Sequence, residues 1–198
     1  MYYDGAGNTS IISHSSETRA GYSLEVGDSG IVWRGGNWGF SSYYYDTTFV
    51  FFYKYSDITT HLLSEAITRT SNPVYYVGAI SIDRNEIAYD QTPTDSISDG
   101  SECNIFEYNI NLGSETQITF HEPDKEMLYF CPDMSNGQIA FYGRSDSEAI
   151  YLFDGSDILT IEEVEGQDYF LDNPFLHRGH IIYLKWKNHT KVGKDANR

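Results

Sequence analysis

Two short patterns of apolar and polar positions recur along the chain. In the first, an aromatic-rich run ends in a polar turn: "MYYDGAG", "FFYKYSD", "IFEYNIN" and "IYLFDGS". Tyr3, Tyr53, Tyr108 and Phe153 occupy the same place in each, at intervals of 50, 55 and 45 residues. A Thr- or Ser-flanked apolar segment follows every time: "TSIIS", "TTHLLS", "TQIT" and "DILTI". Each pair predicts a β-hairpin, with Asp4-Gly5 and Asp154-Gly155 as natural turn residues.

In the second pattern a polar turn precedes a short apolar run: "GDSGIVW", "DRNEIAY", "SNGQIAF" and "HRGHIIY". Ile31, Ile87, Ile139 and Ile181 align, and Trp33, Tyr89, Phe141 and Tyr183 stand two residues on, so Ile and aromatic share one face of a strand. Another apolar stretch lies ahead of each turn: "YSLEV", "VGAISI", "LYFCP" and "NPFL". The count is four strands per unit and four units in 198 residues, with no convincing helix. "HLLSEAITR" has passing helical character, but its place in the repeat predicts strand. The expected fold is therefore all-β, a β-propeller of four-stranded blades over residues 1–186, with a basic tail at 187–198.

The phase of the repeat bears on closure. The chain opens on the outer hairpin of one unit and ends on the inner strand pair of another. Joined, they make one blade and close a four-bladed ring, which places Tyr2 and Tyr3 in the same sheet as Ile181 to Tyr183. The alternative is part of a larger propeller, or a ring completed by a neighbouring copy. The abrupt "MYYDG" start, with no leader-like segment, is expected either of a protein that is not exported or of a processed piece of a longer one, and favours the second.

The repeat also decides how single motifs are read. "GDSG" at 27–30 has the four letters found around the nucleophile of chymotrypsin-like proteases, but it fills the place taken elsewhere by "DRN", "MSNG" and "HRG". Gly, Asp, Ser and Asn gather at such turns for their backbone freedom and local hydrogen bonds. Such an enzyme also needs a His and an Asp far upstream, and only 28 residues precede Ser29. Ser29 is expected to be a turn residue. His177 and His180 in "HRGH" fall on another repeat turn, and "GAGNTS" lacks the Lys and helix of a phosphate loop.

Net charge is −16. The last 14 residues hold five of the 13 basic groups and one acid, which leaves residues 1–184 at −20. A surface of that sign repels phosphate backbones and argues against nucleic acid as a partner. No apolar run approaches the length needed to span a bilayer as a helix. Cys103 and Cys131 are too few for a disulfide framework and lack metal-ligand spacing. Asn8-Thr9-Ser10 and Asn188-His189-Thr190 fit the N-glycosylation triplet, which matters only in a eukaryotic secretory route.

Two segments stand out as candidate sites. "RGGNWGFSSYYYDTTF" at 34–49 is longer and richer in Gly and aromatics than its counterparts. Trp38, Tyr43, Tyr44 and Tyr45 offer a platform for a sugar ring or a protein surface, or else pack as strand core. "DQTPTDSISDGSE" at 90–102 carries Asp90, Asp95, Asp99 and Glu102. Closely spaced carboxylates can ligate Ca²⁺, but the order does not fit an EF-hand and Pro93 interrupts it, so a solvated acidic loop is the plainer expectation. No cofactor beyond that Ca²⁺ is expected, and no grouping reads as a catalytic set.

The pattern resembles the TolB-like propellers, most clearly over residues 104–186, in "NIFEYNINLGSETQITF", "FCPDMSNGQIAFYGRSDSEAIYLFDG" and "NPFLHRGHIIYLKW". Pro132-Asp133 keeps the Pro-Asp of the family's Ser-Pro-Asp-Gly turn. The resemblance implies a protein-interaction or envelope role; since the repeat accounts for nearly every suggestive motif and leaves nothing catalytic over, the leading expectation is a non-catalytic module, extracellular, periplasmic or at the cell surface, with a protein or glycan partner. The rival expectations are a propeller domain of a peptidase, lyase or glycosidase, and a self-assembling subunit of a filament or surface layer.

Overall fold

The computed structural model describes residues 2–3, 9–10, 20–37, 44–70, 79–91, 103–120, 128–166 and 168–187. Among them every regular element is a β-strand. The first sheet is β3 (Ala20–Val26), β4 (Gly30–Asn37), β5 (Tyr44–Lys54) and β6 (Thr59–Thr70), joined as an antiparallel meander in chain order. The second is β7 (Ile80–Asp83), β8 (Glu86–Gln91), β9 (Asn104–Asn109) and β10 (Ser114–Gln117), and the third is β11 (Leu128–Ser135), β12 (Gln138–Arg144), β13 (Ser147–Phe153) and β14 (Ile158–Glu165). The expected all-β class and the four-strand unit are what these sheets show. "HLLSEAITR" lies within β6 and is strand.

The fourth unit is half a sheet. β15 (Tyr169–Leu171) pairs with β18 (Lys185–Lys187), and β16 (Phe175–His177) pairs with β17 (His180–Ile182). The two pairs form one hairpin interrupted near Pro174, as the β11–β12 pairing shifts register between Phe130 and Asp133, around Pro132. Proline has no N–H to give to a ladder, which is why the interruption falls there. β18 runs to Lys187, one residue past the expected domain edge. At the other end of the chain β1 (Tyr2–Tyr3) pairs with β2 (Thr9–Ser10). Among the described residues no closure of the expected ring is found: β1 pairs only with β2, and β17 only with β16.

Successive sheets pack face to face through three core clusters, and a fourth, Ile31, Trp33 and Tyr53 with Phe51 and Tyr55, lies within the first sheet. Val32, Val50 and Phe52 of the first sheet meet Ile80, Ile87, Tyr89, Phe106 and Ile110 around the second. Ala88 and Ile105, on the other face of the second sheet, meet Met134, Ile139 and Phe141 of the third. Tyr142, Ile150 and Val164 meet Leu171, with Ile181 and Tyr183 packed alongside. Strand β8 is consequently buried on both faces, with Ile87, Ala88 and Tyr89 apolar in succession instead of alternating with polar residues. The first strands β3, β7, β11 and β16 also contact their neighbours from sheet to sheet, so the sheets converge on that side.

The turns between first and second strands gather at one end of the stack. Asn136-Gly137 and Arg178-Gly179 both take positive φ, the geometry that matches the twist of a two-residue hairpin. The turns are tied to one another in sequence. Ser29 Oγ faces Asn85 Oδ1 at 3.0 Å and the Arg84 carbonyl; Arg84 Nη2 donates to Asn136 Oδ1 at 2.6 Å; and the Arg178 N–H donates to Ser135 Oγ at 3.3 Å. Ser29 is therefore a turn residue whose hydroxyl meets amide and carbonyl oxygens. The glycine after it answers to packing: a Cβ on Gly30 would lie 2.1 Å from the Tyr53 carbonyl oxygen and 2.5 Å from the Phe52 ring.

Candidate functional site

The turns at 55–58 share this end, since the Tyr55 N–H donates to the Ser29 carbonyl at 3.1 Å. The connections between second and third strands accordingly leave from the opposite end: 38–43 after β4, 92–103 after β8, and the short 145–146 after β12. The topology thus sends the aromatic-rich and the acidic segments out from the same end of two adjacent sheets.

A buried ion pair fastens the roots of these connections together. Arg34, in β4, and Asp90, in β8, are 8% and 1% exposed. Arg34 Nη2 donates to Asp90 Oδ1 at 2.7 Å and to the Asp90 carbonyl oxygen. Asp90 Oδ2 accepts two main-chain bonds, from Ala79 N–H at 3.2 Å and from Cys131 N–H at 2.9 Å. One carboxylate therefore links the first, second and third sheets. Burial pushes the Asp90 carboxyl above its ordinary pKa, while the guanidinium of Arg34 and the two N–H donors pull it back without cancelling the shift. Among the described residues Arg34 Nε is buried with no hydrogen-bond partner.

This position corrects the expectation for Asp90. It is not part of a solvated acidic loop, because it lies inside β8 and both its carboxylate oxygens are engaged by protein donors. Among the described residues no group of three or more His, Cys, Asp or Glu is placed to hold a metal ion. Asp95, Asp99 and Glu102 lie outside the described residues, as do Trp38 and Tyr43. Tyr44 and Tyr45 open β5, opposite Thr70 and Arg69 of β6. His177 and His180 face each other across the last turn and are exposed.

The sequence reading did not pair Arg34 with Asp90, which stand 56 residues apart. The repeat held the signal: each is three residues beyond its aligned Ile, where the third unit has Tyr142 and the fourth Leu184. Opposite charges at one repeat position of adjacent units are what a cross-sheet ion pair looks like in sequence.

A second carboxylate works the same way nearer the turns. Asp133 Oδ1 accepts from Ser81 Oγ at 3.0 Å and Oδ2 accepts from the Leu176 N–H at 2.6 Å, joining β7, β11 and β16. Cys103 and Cys131 are free thiols. Burial holds both pKa values up, that of Cys131 to about 12, with the nearby Asp90 carboxylate adding to the shift. No helix among the described residues is long and apolar enough to cross a membrane. No protein-family model matches this chain, and a search of curated proteins finds no match.

Proposed function

We propose that the chain is a non-catalytic binding or assembly module of β-propeller type, acting outside the cytoplasm on a protein or glycan surface. The observation that carries this reading is the Arg34–Asp90 clamp. It fixes the strand ends from which an aromatic-rich and an acid-rich connection leave side by side. Binding residues are most effective on connections held by a rigid scaffold, and a root clamped across three sheets supplies that rigidity. The convergence of the sheets on their first strands supports the propeller arrangement. The TolB-like resemblance supports a protein-interaction or envelope role.

Immobilised chain would be screened against a glycan array and a set of extracytoplasmic proteins. A ligand is expected at micromolar concentration, and Trp38→Ala and Tyr44→Ala are each expected to weaken it about tenfold or more. No retained ligand, or one bound equally by both variants, would overturn the reading.

A further inference from the structure

Asp83, Ser135 and His177 each stand four residues before an aligned Ile, and Glu86, Gln138 and His180 one residue before it. Each pair meets across its turn: Asp83 opposite Glu86, Ser135 opposite Gln138, and His177 opposite His180. In the second and third units the first member is spent on the fold. Asp83 Oδ2 accepts from the Asn136 N–H at 2.5 Å, and Ser135 Oγ accepts from the Arg178 N–H at 3.3 Å, so each fastens the turn of the next unit. The fourth unit puts an imidazole at that position and a second imidazole opposite. Both histidines are exposed, and among the described residues neither ring makes a hydrogen bond.

The turn that holds them is tight. Arg178 and Gly179 take φ of 50° and 77°, the two-residue geometry that fixes the flanking strands. Residues directly opposite on an antiparallel pair project from one face with Cβ atoms about 4.5–5.5 Å apart. Two imidazole nitrogens on one ion, each bound at about 2.0–2.1 Å, stand roughly 3 Å from each other, so the rings need only lean together. Phe175, two residues before His177 on the same face, stacks on its ring with centroids 6.4 Å apart and planes 13° apart. That contact narrows the freedom of the ring before any ion arrives, so less is lost on binding.

We propose that His177 and His180 chelate one divalent ion of the late first-row transition class, Zn²⁺ or Cu²⁺, with solvent completing the coordination. Imidazole is the commonest protein ligand for such ions and suits zinc, copper and nickel. The site differs in kind from a Ca²⁺ site, which takes oxygen ligands. Once one ring binds, the rigid turn keeps the other at high effective concentration. A net charge of −16 also draws cations to the chain. The bound ion ties β16 to β17 at their tip. This inference does not depend on the binding reading.

The test is calorimetric titration of the whole chain with Zn²⁺, repeated on His177→Gln and His180→Gln. One ion per chain at micromolar concentration is expected, with affinity about tenfold or more weaker in each variant. No binding overturns the proposal. So does an affinity unchanged in either variant, which assigns the ion to other groups, and so does one ion per two chains, which puts it between copies. Should a variant fail to fold, Cu²⁺ added to the unmodified chain gives an independent readout in its amide NMR signals. Paramagnetic broadening is expected first at 176–181, and broadening centred elsewhere overturns the proposal.

Discussion

Replacing Asp90 with Ala tests whether one carboxylate holds three sheets together. The substitution removes the acceptor for Arg34 Nη2 at 2.7 Å and for the N–H groups of Ala79 and Cys131. It also leaves a guanidinium buried without its counter-ion. Removing one partner of a buried ion pair costs about 3–5 kcal/mol. Against the roughly 5–15 kcal/mol that stabilises a typical domain, a loss of about 4 kcal/mol is severe. Arg34→Met should cost less, about 2 kcal/mol, because Asp90 keeps its two main-chain donors and can become neutral by taking a proton. That variant carries a signature of its own. A carboxyl whose folded pKa lies above its unfolded value binds protons more tightly when folded, so its contribution is present at low pH and lost as pH rises through the folded pKa. Losing Arg34 raises the folded value further, so Arg34→Met should be least impaired in acid. Urea unfolding followed by fluorescence and circular dichroism gives the free energies, and the double variant gives the coupling, expected to be about 1–3 kcal/mol. An Asp90→Ala protein within about 0.5 kcal/mol of the parent, or strictly additive single effects, would refute the clamp.

Two further outcomes follow from the turns and the surface carboxylates. Gly30→Ala should destabilise by about 3 kcal/mol, since its Cβ would meet the Tyr53 carbonyl oxygen, which belongs to the backbone and cannot swing away. Ser29→Ala should cost about 1 kcal/mol or less, and a larger loss for Ser29 than for Gly30 would reverse the assignment of what the motif is for. Hydrogen bonds from Lys185 and Tyr183 hold Glu162 below its ordinary value of 4.5, and main-chain donors at Asp157 and Ser156 do the same for Asp154. Lowered carboxyl pKa values mean stability that is complete above the ordinary range and fades as pH falls through the folded values. Melting temperature should therefore drop in acid, with a shallower slope for Glu162→Gln; identical slopes would remove Glu162 from the account.

The four-strand unit of three sheets was legible because the repeat is written in large apolar residues. Ile87 and Tyr89, or Ile139 and Phe141, have to be buried wherever they fall, and they recur with a spacing that only a repeated sheet explains. The helix-like "HLLSEAITR" went the right way for the same reason, because its repeat position outweighed its local propensity. Asp90 was misjudged because "DQTPTDSISDGSE" looks uniformly hydrophilic. A charge can be buried when its partner sits on another sheet, and nothing within a window of a dozen residues reveals that partner. Closure was out of reach for a different reason. An alignment of Tyr3 with Tyr53 gives the register that two strands would adopt if they met, and says nothing about whether they meet.

Two of the bonds that Asp90 and Asp133 make across the sheets end on main-chain groups, the N–H of Cys131 and that of Leu176. A main-chain N–H is carried by every amino acid except proline. Cys131 and Leu176 can therefore change to any residue but proline while their part of the fastening persists, so long as the carboxylate on the neighbouring unit stays. Units fastened in this way are released from having to resemble one another in anything but apolar pattern. Over many substitutions such a chain keeps its geometry while its letters wander, and three sheets of nearly the same plan can come to share little more than an isoleucine, an aromatic and a turn.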